Sequence, residues 1–294
     1  MSRTIIHKVI AKMSTTSLFD CLPDERYLPF LYWARTDKRL NLKYPRTYNE
    51  KLQWLKLYDR KPIYTTMVDK FEAKQYIAEQ IGQEYIIPTL GVWDRFDDID
   101  FDTLPNQFVL KCTHDSGGLV IVRDKTNFNL VAAKKKIEKS LKTNYYFHGR
   151  EWPYKDVKPR IIAESYIEDA ETEELRDYKW FCFHGVAKIL GVFCGRSSDM
   201  TTADFFDADY CPVDMTRGYP RAAVLPEKPK CFEKMKQLAE KLSADMPHLR
   251  VDFYEVNGNI YVGELTFFPS SGFAPIEPEL WDERMGSWIT LPTK

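Results

Sequence analysis

Two acidic residues near the C-terminal end, Asp252 and Glu264, are the side chains best suited to hold a metal ion. They flank Asn257-Gly258, the dipeptide that most strongly favours a tight hairpin between alternating strands. In such a hairpin the two carboxylates lie nearly opposite each other, and like charges at that distance need a cation between them. Mg²⁺ takes oxygen ligands of this kind together with phosphate oxygens. The alternative is an exposed carboxylate pair that Arg250 bridges without a metal.

Lys111 and the turn that follows it form a candidate phosphate-binding site. The lysine lies near the end of the apolar segment 107–112, and the turn 114–118 has the sequence HDSGG. Glycines allow backbone N–H groups to approach a phosphate closely, and the lysine adds a positive charge. The spacing differs from the GxxxxGK[ST] pattern of a Walker-type loop. The alternative is an ordinary hairpin whose lysine extends into solvent.

Three other segments place polar residues beside apolar ones. Lys70 lies in the first turn of a predicted helix, where its charge opposes the helix dipole and hints at an outside anion. Residues 161–168 form a buried strand that runs into a polar, extended segment, which is either an adenine-binding edge or a plain edge strand. Asp177 and Lys179 share one strand face, either as a salt bridge or with the lysine directed at a phosphate.

These candidate residues depend on an alternation of helices and hairpins. The first 65 or so residues have helical and aromatic patterns, and Thr47 with Glu50 is typical of a capping box. Further helices are predicted over 69–81, 130–141 and 230–242. Strands are predicted over 107–112, 119–123, 160–164, 177–183, 186–194, 250–256 and 259–264. This mixed order favours an α+β fold with mainly antiparallel sheets over a doubly wound sheet.

Composition and charge argue against several classes of function. The 294-residue chain has a formal net charge of −1, without the basic surplus that a general nucleic-acid binder needs. Its six cysteines are scattered without metal-ligand spacing, so we expect reduced, mostly buried thiols in a cytoplasmic protein. Residues 1–13 are too short and too polar for a signal peptide or a membrane span, so we expect no stable membrane insertion.

The order of these patterns, from Lys70 through Lys111 to Glu264, resembles the ATP-grasp superfamily over roughly 65–275. The stretches PNQFVLKCTHDSGG, REWPYKDVKPRIIAESYIED and LRDYKWFCFHG are similar to its TupA-like branch, which is found in bacterial surface-polysaccharide gene clusters. The resemblance implies an ATP-grasp fold of two α+β lobes that clamp ATP between mainly antiparallel sheets. It also implies a division into a helical N-terminal region over 1–66 and an ATP-grasp domain over 67–294, with a lid lobe over about 107–163 and a catalytic lobe over about 164–294.

The resemblance further implies a role for each candidate residue. Nucleotide-binding roles fall on Lys70, Lys111, Ser116, Gly117, Gly118, Glu164, Ser165, Ile167 and Glu171. The lysines would contact phosphates, the turn would cover them, and the residues from Glu164 onwards would meet adenine and ribose. Asp252 and Glu264 would hold Mg²⁺. Arg250 and Lys179 would face the reacting phosphoryl group. The family pattern is Glu-x-Asn, and this chain has Thr266 at the asparagine position, so a second metal ion would be held more weakly.

The reaction that the resemblance implies is ligation of a carboxylate to an amine through an acyl phosphate, which depends on positioning rather than on a nucleophilic side chain. The implied substrates are a uronic acid of a bacterial surface or capsular polysaccharide and an amino acid or other amine. The aromatic segment 145–158 is either a sugar-stacking surface or a packed loop. The alternative functions are a glycan-modifying phosphotransferase, a glycosyltransferase and a nucleotide-binding scaffold without turnover.

Overall fold

The computed structural model of the chain describes residues 19–169, 174–195 and 200–293. Its helices are α1 Asp24–Thr36, α2 Tyr48–Tyr58, α3 Ile63–Val68, α4 Glu72–Ile81, α5 Leu130–Leu141, α6 Tyr146–Gly149, α7 Phe232–Leu242 and α8 Leu280–Ser287. Its strands are β1 Thr89–Trp93, β2 Phe108–Cys112, β3 Leu119–Val122, β4 Ile161–Ser165, β5 Asp177–Phe183, β6 Val186–Cys194, β7 Thr202–Asp207, β8 Thr216–Arg217, β9 Leu249–Val256, β10 Asn259–Thr266 and β11 Ile276–Glu277. None of the helices in the described ranges is long and apolar enough to span a membrane.

Helix α2 confirms the predicted capping box and ties the N-terminal helices to the C-terminal helix α8. The Thr47 hydroxyl accepts the N–H of Glu50, and the Glu50 carboxylate accepts the N–H of Thr47, both at 3.2 Å. The N–H of Asn49 donates to Asp282 on α8 at 3.0 Å. Gly286 allows this approach, because a Cβ there would lie 2.7 Å from the backbone of Thr47.

A four-stranded antiparallel sheet, in the order β1-β4-β2-β3, carries the glycine-containing turn between β2 and β3. One face is covered by α5, where Ile137 joins Phe108 and Leu110 in a buried apolar cluster. The sequence does not predict β1, since Thr89 and Leu90 are both exposed and the strand lacks an alternating pattern. Pairing with β4 alone supports it.

A five-stranded antiparallel sheet, in the order β10-β9-β5-β6-β7, carries most of the remaining candidate residues. The predicted turn at Asn257-Gly258 is confirmed, and His184-Gly185 forms a turn of the same kind between the predicted strands 177–183 and 186–194. His184 and Asn257 have φ values of 48° and 50°, and each is followed by a glycine with φ near 77°. Two successive left-handed residues match the twist of the flanking strands. Helix α7 packs Met235 and Leu238 into the main apolar core beside this sheet.

The predicted helix 69–81 begins three residues later than expected, at Glu72. Asp69 directly follows the last residue of α3, and its carboxylate accepts the N–H of Glu72 at 3.3 Å. The prediction that Lys70 lies in the first turn of a helix is therefore wrong. Its N–H donates to the carbonyl of Thr113 at 3.0 Å, which fixes Lys70 at a bend beside the four-stranded sheet.

All six cysteines lie within the described residues and are free thiols, as the sequence predicts. Cys112 and Cys182 are buried, and burial raises their thiol pKa values to about 11 and about 12. Cys21 and Cys211 are exposed, so the prediction of mostly buried thiols is wrong for this pair.

Candidate active site

The carboxylate pair at the β9–β10 hairpin has the predicted arrangement. Asp252 lies directly opposite Glu264, after a bulge that shifts the register between Val262 and Glu264. On the other side of β9, Asp252 is also paired with Lys179 of β5. A single row across three strands therefore carries a lysine and two carboxylates. All three side chains border a cavity of about 170 Å³.

Asp252 is buried, and two cationic side chains bind its carboxylate. Arg250 donates from Nε to Oδ1 at 2.6 Å and from Nη2 to Oδ2 at 2.7 Å. Lys179 donates to Oδ2 at 2.5 Å and also lies 3.2 Å from the carboxylate of Asp177. Burial alone would raise the pKa of Asp252, but Arg250 and Lys179 outweigh it and lower the pKa. Asp252 is therefore ionised at neutral pH.

Glu264 has a more open environment than Asp252. Its side chain is 31% exposed, and Nη2 of Arg250 lies 3.8 Å from its Oε2. Arg250 thus contacts both carboxylates, as the metal-free alternative predicts, although Asp252 is buried rather than exposed. The same Nη2 donates to the hydroxyl of Thr266 at 3.0 Å, so the residue at the family's asparagine position also contacts Arg250.

The carboxylate oxygens of this pair are of the chemical type that Mg²⁺ binds. Oδ1 of Asp252 accepts one hydrogen bond, from Arg250, and retains a lone pair, while the Glu264 carboxylate is partly open to the cavity. In the described part of the chain, no group of three His, Cys, Asp or Glu residues converges on a common point. The protein would therefore supply two carboxylate ligands, and water or phosphate oxygens would complete the octahedral coordination that Mg²⁺ requires.

Three lysines reach the same cavity from different elements. Lys70 comes from the bend before α4, Lys111 from β2 and Lys179 from β5. The ammonium group of Lys70 also donates to the carbonyl of Asp115, so it lies against the turn between β2 and β3. Ammonium groups and a carboxylate pair around one cavity suit a polyphosphate that carries a divalent cation.

The turn between β2 and β3 presents backbone to this cavity. The Asp115 carboxylate accepts the N–H of Gly118 at 3.0 Å and the hydroxyl of Ser140, which anchors the turn to α5. A Cβ on Gly118 would lie 2.8 Å from Cys112, so only glycine fits there. Gly117 has a φ of 143°, and it and Ser116 are exposed at the tip. This anchored, open-tipped turn can bring N–H groups close to a phosphate.

Glu164 lines a second, mainly apolar cavity of about 30 Å³ that adjoins the first. It is buried, and its two carboxylate oxygens contact the ammonium groups of Lys74, at 2.6 Å, and Lys111. Burial opposes ionisation of Glu164, but the two lysines lower its pKa overall. The cavity wall is formed largely by Met67, Val68, Ala73, Ile77, Ile86 and Val262. Lys70 and Glu264 border both cavities, so the two are neighbours.

The remaining predicted nucleotide contacts lie at and beyond the end of β4. Ser165 is the last residue of β4, and its N–H donates to the carbonyl of Pro88 at 3.0 Å. Ile167 follows two residues later and is half-buried. Glu171, the predicted ribose contact, lies outside the described residues.

Sequence reasoning missed Lys74. It lies four residues after Lys70, and its ammonium group also donates to the carbonyl of Ile87 at 2.6 Å. The one available signal was its place in the first turn of an amphipathic helix, where a lysine opposes the helix dipole. Its partners come from two segments that are distant in sequence, so spacing alone could not identify them.

The aromatic segment 145–158 is packed rather than open. Tyr146 and Tyr154 are buried, and the Tyr146 hydroxyl donates to Asp24 at 2.5 Å. Glu151 is also buried and accepts a hydrogen bond from Ser271. These contacts support the packed-loop interpretation over a sugar-stacking surface.

A family described as TupA-like ATPgrasp has a model that matches residues 50–290, more than four fifths of the chain. The chain belongs to the TupA-like ATP-grasp family. The predicted family and the predicted ATP-grasp fold are thereby confirmed, and membership supports an enzyme that binds ATP. No curated protein matches this family member in sequence.

Solved structures similar to this TupA-like chain include other ATP-grasp enzymes at low identity. A D-alanine–D-alanine ligase from Bacillus anthracis complexed with ATP is 15% identical, with a TM-score of 0.39, covering 69% of this chain and 54% of that one. The corresponding Helicobacter pylori enzyme is 15% identical, with a TM-score of 0.43, covering 83% and 69%. The ligase PsnB, complexed with minimal precursor, Mg and ADP, is 8% identical, with a TM-score of 0.40, covering 74% and 57%. The chain thus spans about half the length of the Bacillus anthracis ligase.

Proposed function

We propose that this chain is an ATP-dependent carboxylate–amine ligase. The observation that carries the proposal is one cavity bordered by Lys70, Lys111, Lys179 and the carboxylate pair Asp252 and Glu264. The charged side chains around the first cavity suit a polyphosphate, and the apolar side chains that line the adjoining cavity suit the faces of a nucleobase. Family membership supports ATP as the nucleotide.

The proposed reaction uses these side chains to position charge rather than to form a covalent bond. Lys70 and Lys111 bind phosphate oxygens beneath the turn 114–118, which excludes water from the reacting groups. The γ-phosphoryl group passes to the substrate carboxylate, with ADP as the leaving group. The amine then attacks the acyl carbon, forms the amide bond and releases phosphate with loss of a proton. Lys179 borders the cavity and would neutralise charge on the transferred group, whereas Arg250 does not border it and would act through the Asp252 carboxylate that it binds.

Asp252 and Glu264 would hold Mg²⁺, which when bound neutralises phosphate charge. For the nucleoside, we propose that Glu164, Ser165 and Ile167 lie along the adenine. Glu171 is the proposed ribose contact. Ser165 can offer adenine its carbonyl or side chain, since its N–H is bonded to Pro88.

The proposed substrates are a uronic acid of a bacterial surface or capsular polysaccharide and an amino acid or other amine. This choice rests on the resemblance to the TupA-like branch. The segment 145–158 does not contribute to it, because Tyr146 and Tyr154 are buried and are not available for stacking on sugars. We also propose a cytoplasmic location, which suits an ATP-dependent enzyme with six free thiols.

The proposed lobes follow the two sheets. We propose a lid lobe over about 107–163, a catalytic lobe over about 164–294 and a helical region over 1–66 that precedes the ATP-grasp domain. The four-stranded sheet carries the turn that would cover the phosphates, while the five-stranded sheet carries the carboxylate pair.

Product analysis with ATP, Mg²⁺, uronic acids or their oligosaccharides, and a panel of amino acids tests this proposal. We expect ADP and phosphate only when both a carboxylate and an amine are present, and a product mass equal to their sum minus water. Glu264→Gln should lower the rate by about a hundredfold. Glu233→Gln, an exposed carboxylate on α7, is the matched control and should leave the rate unchanged.

Two outcomes would replace the proposal. Amine-independent ADP release with phosphate retained on the glycan would indicate a phosphotransferase. Turnover of a sugar nucleotide without any use of ATP would indicate a glycosyltransferase.

A further inference from the structure

Lys74 is a largely buried cation to which the proposed reaction gives no role. Lys74 lies in the first turn of α4, and its side chain is 15% exposed. Its ammonium group donates to the carbonyl of Ile87 at 2.6 Å and lies 2.6 Å from Oε1 of Glu164. Lys74 therefore joins a helix, the connection before β1 and strand β4 at one point of the apolar cavity.

Glu164 depends on two lysines that differ in what else they can reach. Oε1 faces Lys74 and Oε2 faces Lys111. Lys111 also borders the polyphosphate cavity, whereas Lys74 borders only the apolar one. A bound polyphosphate therefore competes with Glu164 for Lys111. Lys74 is then the cation that remains on Glu164.

We infer that Lys74 is a positioning residue for recognition of the nucleobase, because it keeps Glu164 ionised and fixed as a hydrogen-bond acceptor. The inference rests on the proposed function, since it requires ATP in this cavity. An ionised carboxylate accepts hydrogen bonds and cannot donate them. It therefore suits the exocyclic amino group of adenine and repels the carbonyl oxygen that guanine has in its place.

The burial of Glu164 explains why a second lysine matters. Lys74 and Lys111 contact its carboxylate, and Lys70 and Glu264 are the other charged groups that border the cavity. Burial favours the protonated form of Glu164, and the two contacting lysines oppose this by lowering its pKa. Without Lys74, and with Lys111 on the phosphates, a buried Glu164 would tend to take up a proton. A protonated carboxyl group can donate to the carbonyl of guanine, so selectivity would fall.

Calorimetric titration of Mg·ADP and Mg·GDP tests this without any knowledge of the ligase substrates. We expect Lys74→Met to weaken ADP binding and to reduce the ADP-to-GDP affinity ratio by about tenfold or more. Lys74→Arg keeps the charge and should retain most of the wild-type ratio. Lys135→Met, on the exposed face of α5, is the matched lysine-to-methionine control and should bind both nucleotides as the wild type does.

A double-mutant cycle separates positioning from general stabilisation. In a Glu164→Gln background, Lys74→Met should cause no further change in the affinity ratio, because the carboxylate on which it acts is absent. An unchanged ratio in Lys74→Met, or an additional fall in the Glu164→Gln background, contradicts the inference. If Lys74→Met does not fold, Lys74→Gln takes its place: an unchanged ratio overturns the inference and a reduced ratio supports it.

The control for the proposed function is the wild-type chain itself. A wild type that binds neither nucleotide contradicts the proposed function and this inference together. A wild type that prefers ADP, with the same preference in Lys74→Met, contradicts this inference alone.

Discussion

Glu164 and Asp252 are both buried carboxylates held by two cationic side chains, but the two clusters are built differently. Asp252, Arg250 and Lys179 lie on the adjacent strands β9 and β5 of one sheet, so hydrogen-bonded register fixes their geometry. Glu164 takes one cation from β2 of its own sheet and the other from helix α4. A shift of α4 relative to the four-stranded sheet would thus change the Glu164 cluster and leave the Asp252 cluster intact.

This difference suggests that the two clusters have separate roles in the proposed site. The cluster within one sheet would give the reacting phosphate a rigid environment. The Glu164 cluster, which lies between α4 and the four-stranded sheet, would change its geometry when a nucleotide binds there and shifts the helix. Substitutions in each cluster test this contrast.

Asp252→Asn should be the most damaging of these substitutions. It leaves Arg250 and Lys179 buried beside a neutral amide, and removal of one partner from a buried ion pair costs about 3–5 kcal/mol. Glu264→Gln is the matched control, because that side chain is 31% exposed and lies 3.8 Å from its nearest cation. It should cost no more than about 1 kcal/mol. Urea unfolding measures both, and equal losses would contradict the contrast between the two carboxylates.

The Asp252 cluster was largely predictable because register is a local property of sequence. Asn257-Gly258 specifies a two-residue turn, and that turn sets Asp252 opposite Glu264. His184 and Gly185 fix the next hairpin in the same way, and they bring Lys179 into its strand. The sequence places the two carboxylates only nearly opposite each other, because the bulge before Glu264 depends on packing.

The Glu164 cluster was only partly predictable because it depends on tertiary packing. Lys111 was identified from its strand and Glu164 from the family resemblance, but no spacing linked either to Lys74 on a separate helix. The bend that carries Lys70 was predicted as helix for a similar reason. Its N–H bonds to Thr113, some forty residues away, instead of continuing a helix.

Gly118→Ala should disturb the turn on the side of the four-stranded sheet. The new Cβ would lie 2.8 Å from Cys112 and collide with Ser140, so we expect a loss of about 1–3 kcal/mol from overpacking. Gly117→Ala is the matched control. Its Cβ would meet nothing within 4 Å, which leaves only the strain of a φ of 143°. Thermal unfolding and ATP affinity should both fall further for Gly118→Ala, and the reverse order would contradict this account of the turn.

Acid should weaken both clusters, since the pKa values of Glu164 and Asp252 are lowered in the folded chain. Such carboxylates stabilise the fold above the unfolded-state pKa values of about 4, and this contribution is lost as pH falls through the lower folded values. Glu164→Gln should therefore flatten the fall in unfolding free energy below about pH 4. The exposed Glu233→Gln should follow the wild-type curve. Urea unfolding at a series of pH values measures this. The same change in unfolding free energy with pH in all three proteins would contradict the claim that the lysines stabilise the ionised form of buried Glu164.

Thr266→Asn should have the smallest effect, confined to the metal end of the site. The amide oxygen can still accept a hydrogen bond from Arg250 and is a better Mg²⁺ ligand than a hydroxyl. We therefore expect the Mg²⁺ concentration that half-saturates nucleotide binding to fall by no more than about tenfold. Thr266→Val keeps the size of the side chain but removes the hydroxyl that Arg250 contacts. The Mg²⁺ dependence of nucleotide binding distinguishes the variants, and no change in Thr266→Asn would argue against a metal near this position.

The most direct test of the proposed site is calorimetric titration of ATP with and without Mg²⁺, into the wild type and into Glu264→Gln. We predict that the wild type binds ATP and that Mg²⁺ tightens binding by at least about tenfold. We predict that Glu264→Gln loses most of this Mg²⁺ effect while its fold is preserved. A wild type that does not bind ATP, or a Mg²⁺ effect that is the same in both proteins, would contradict the assignment of this cavity to Mg·ATP.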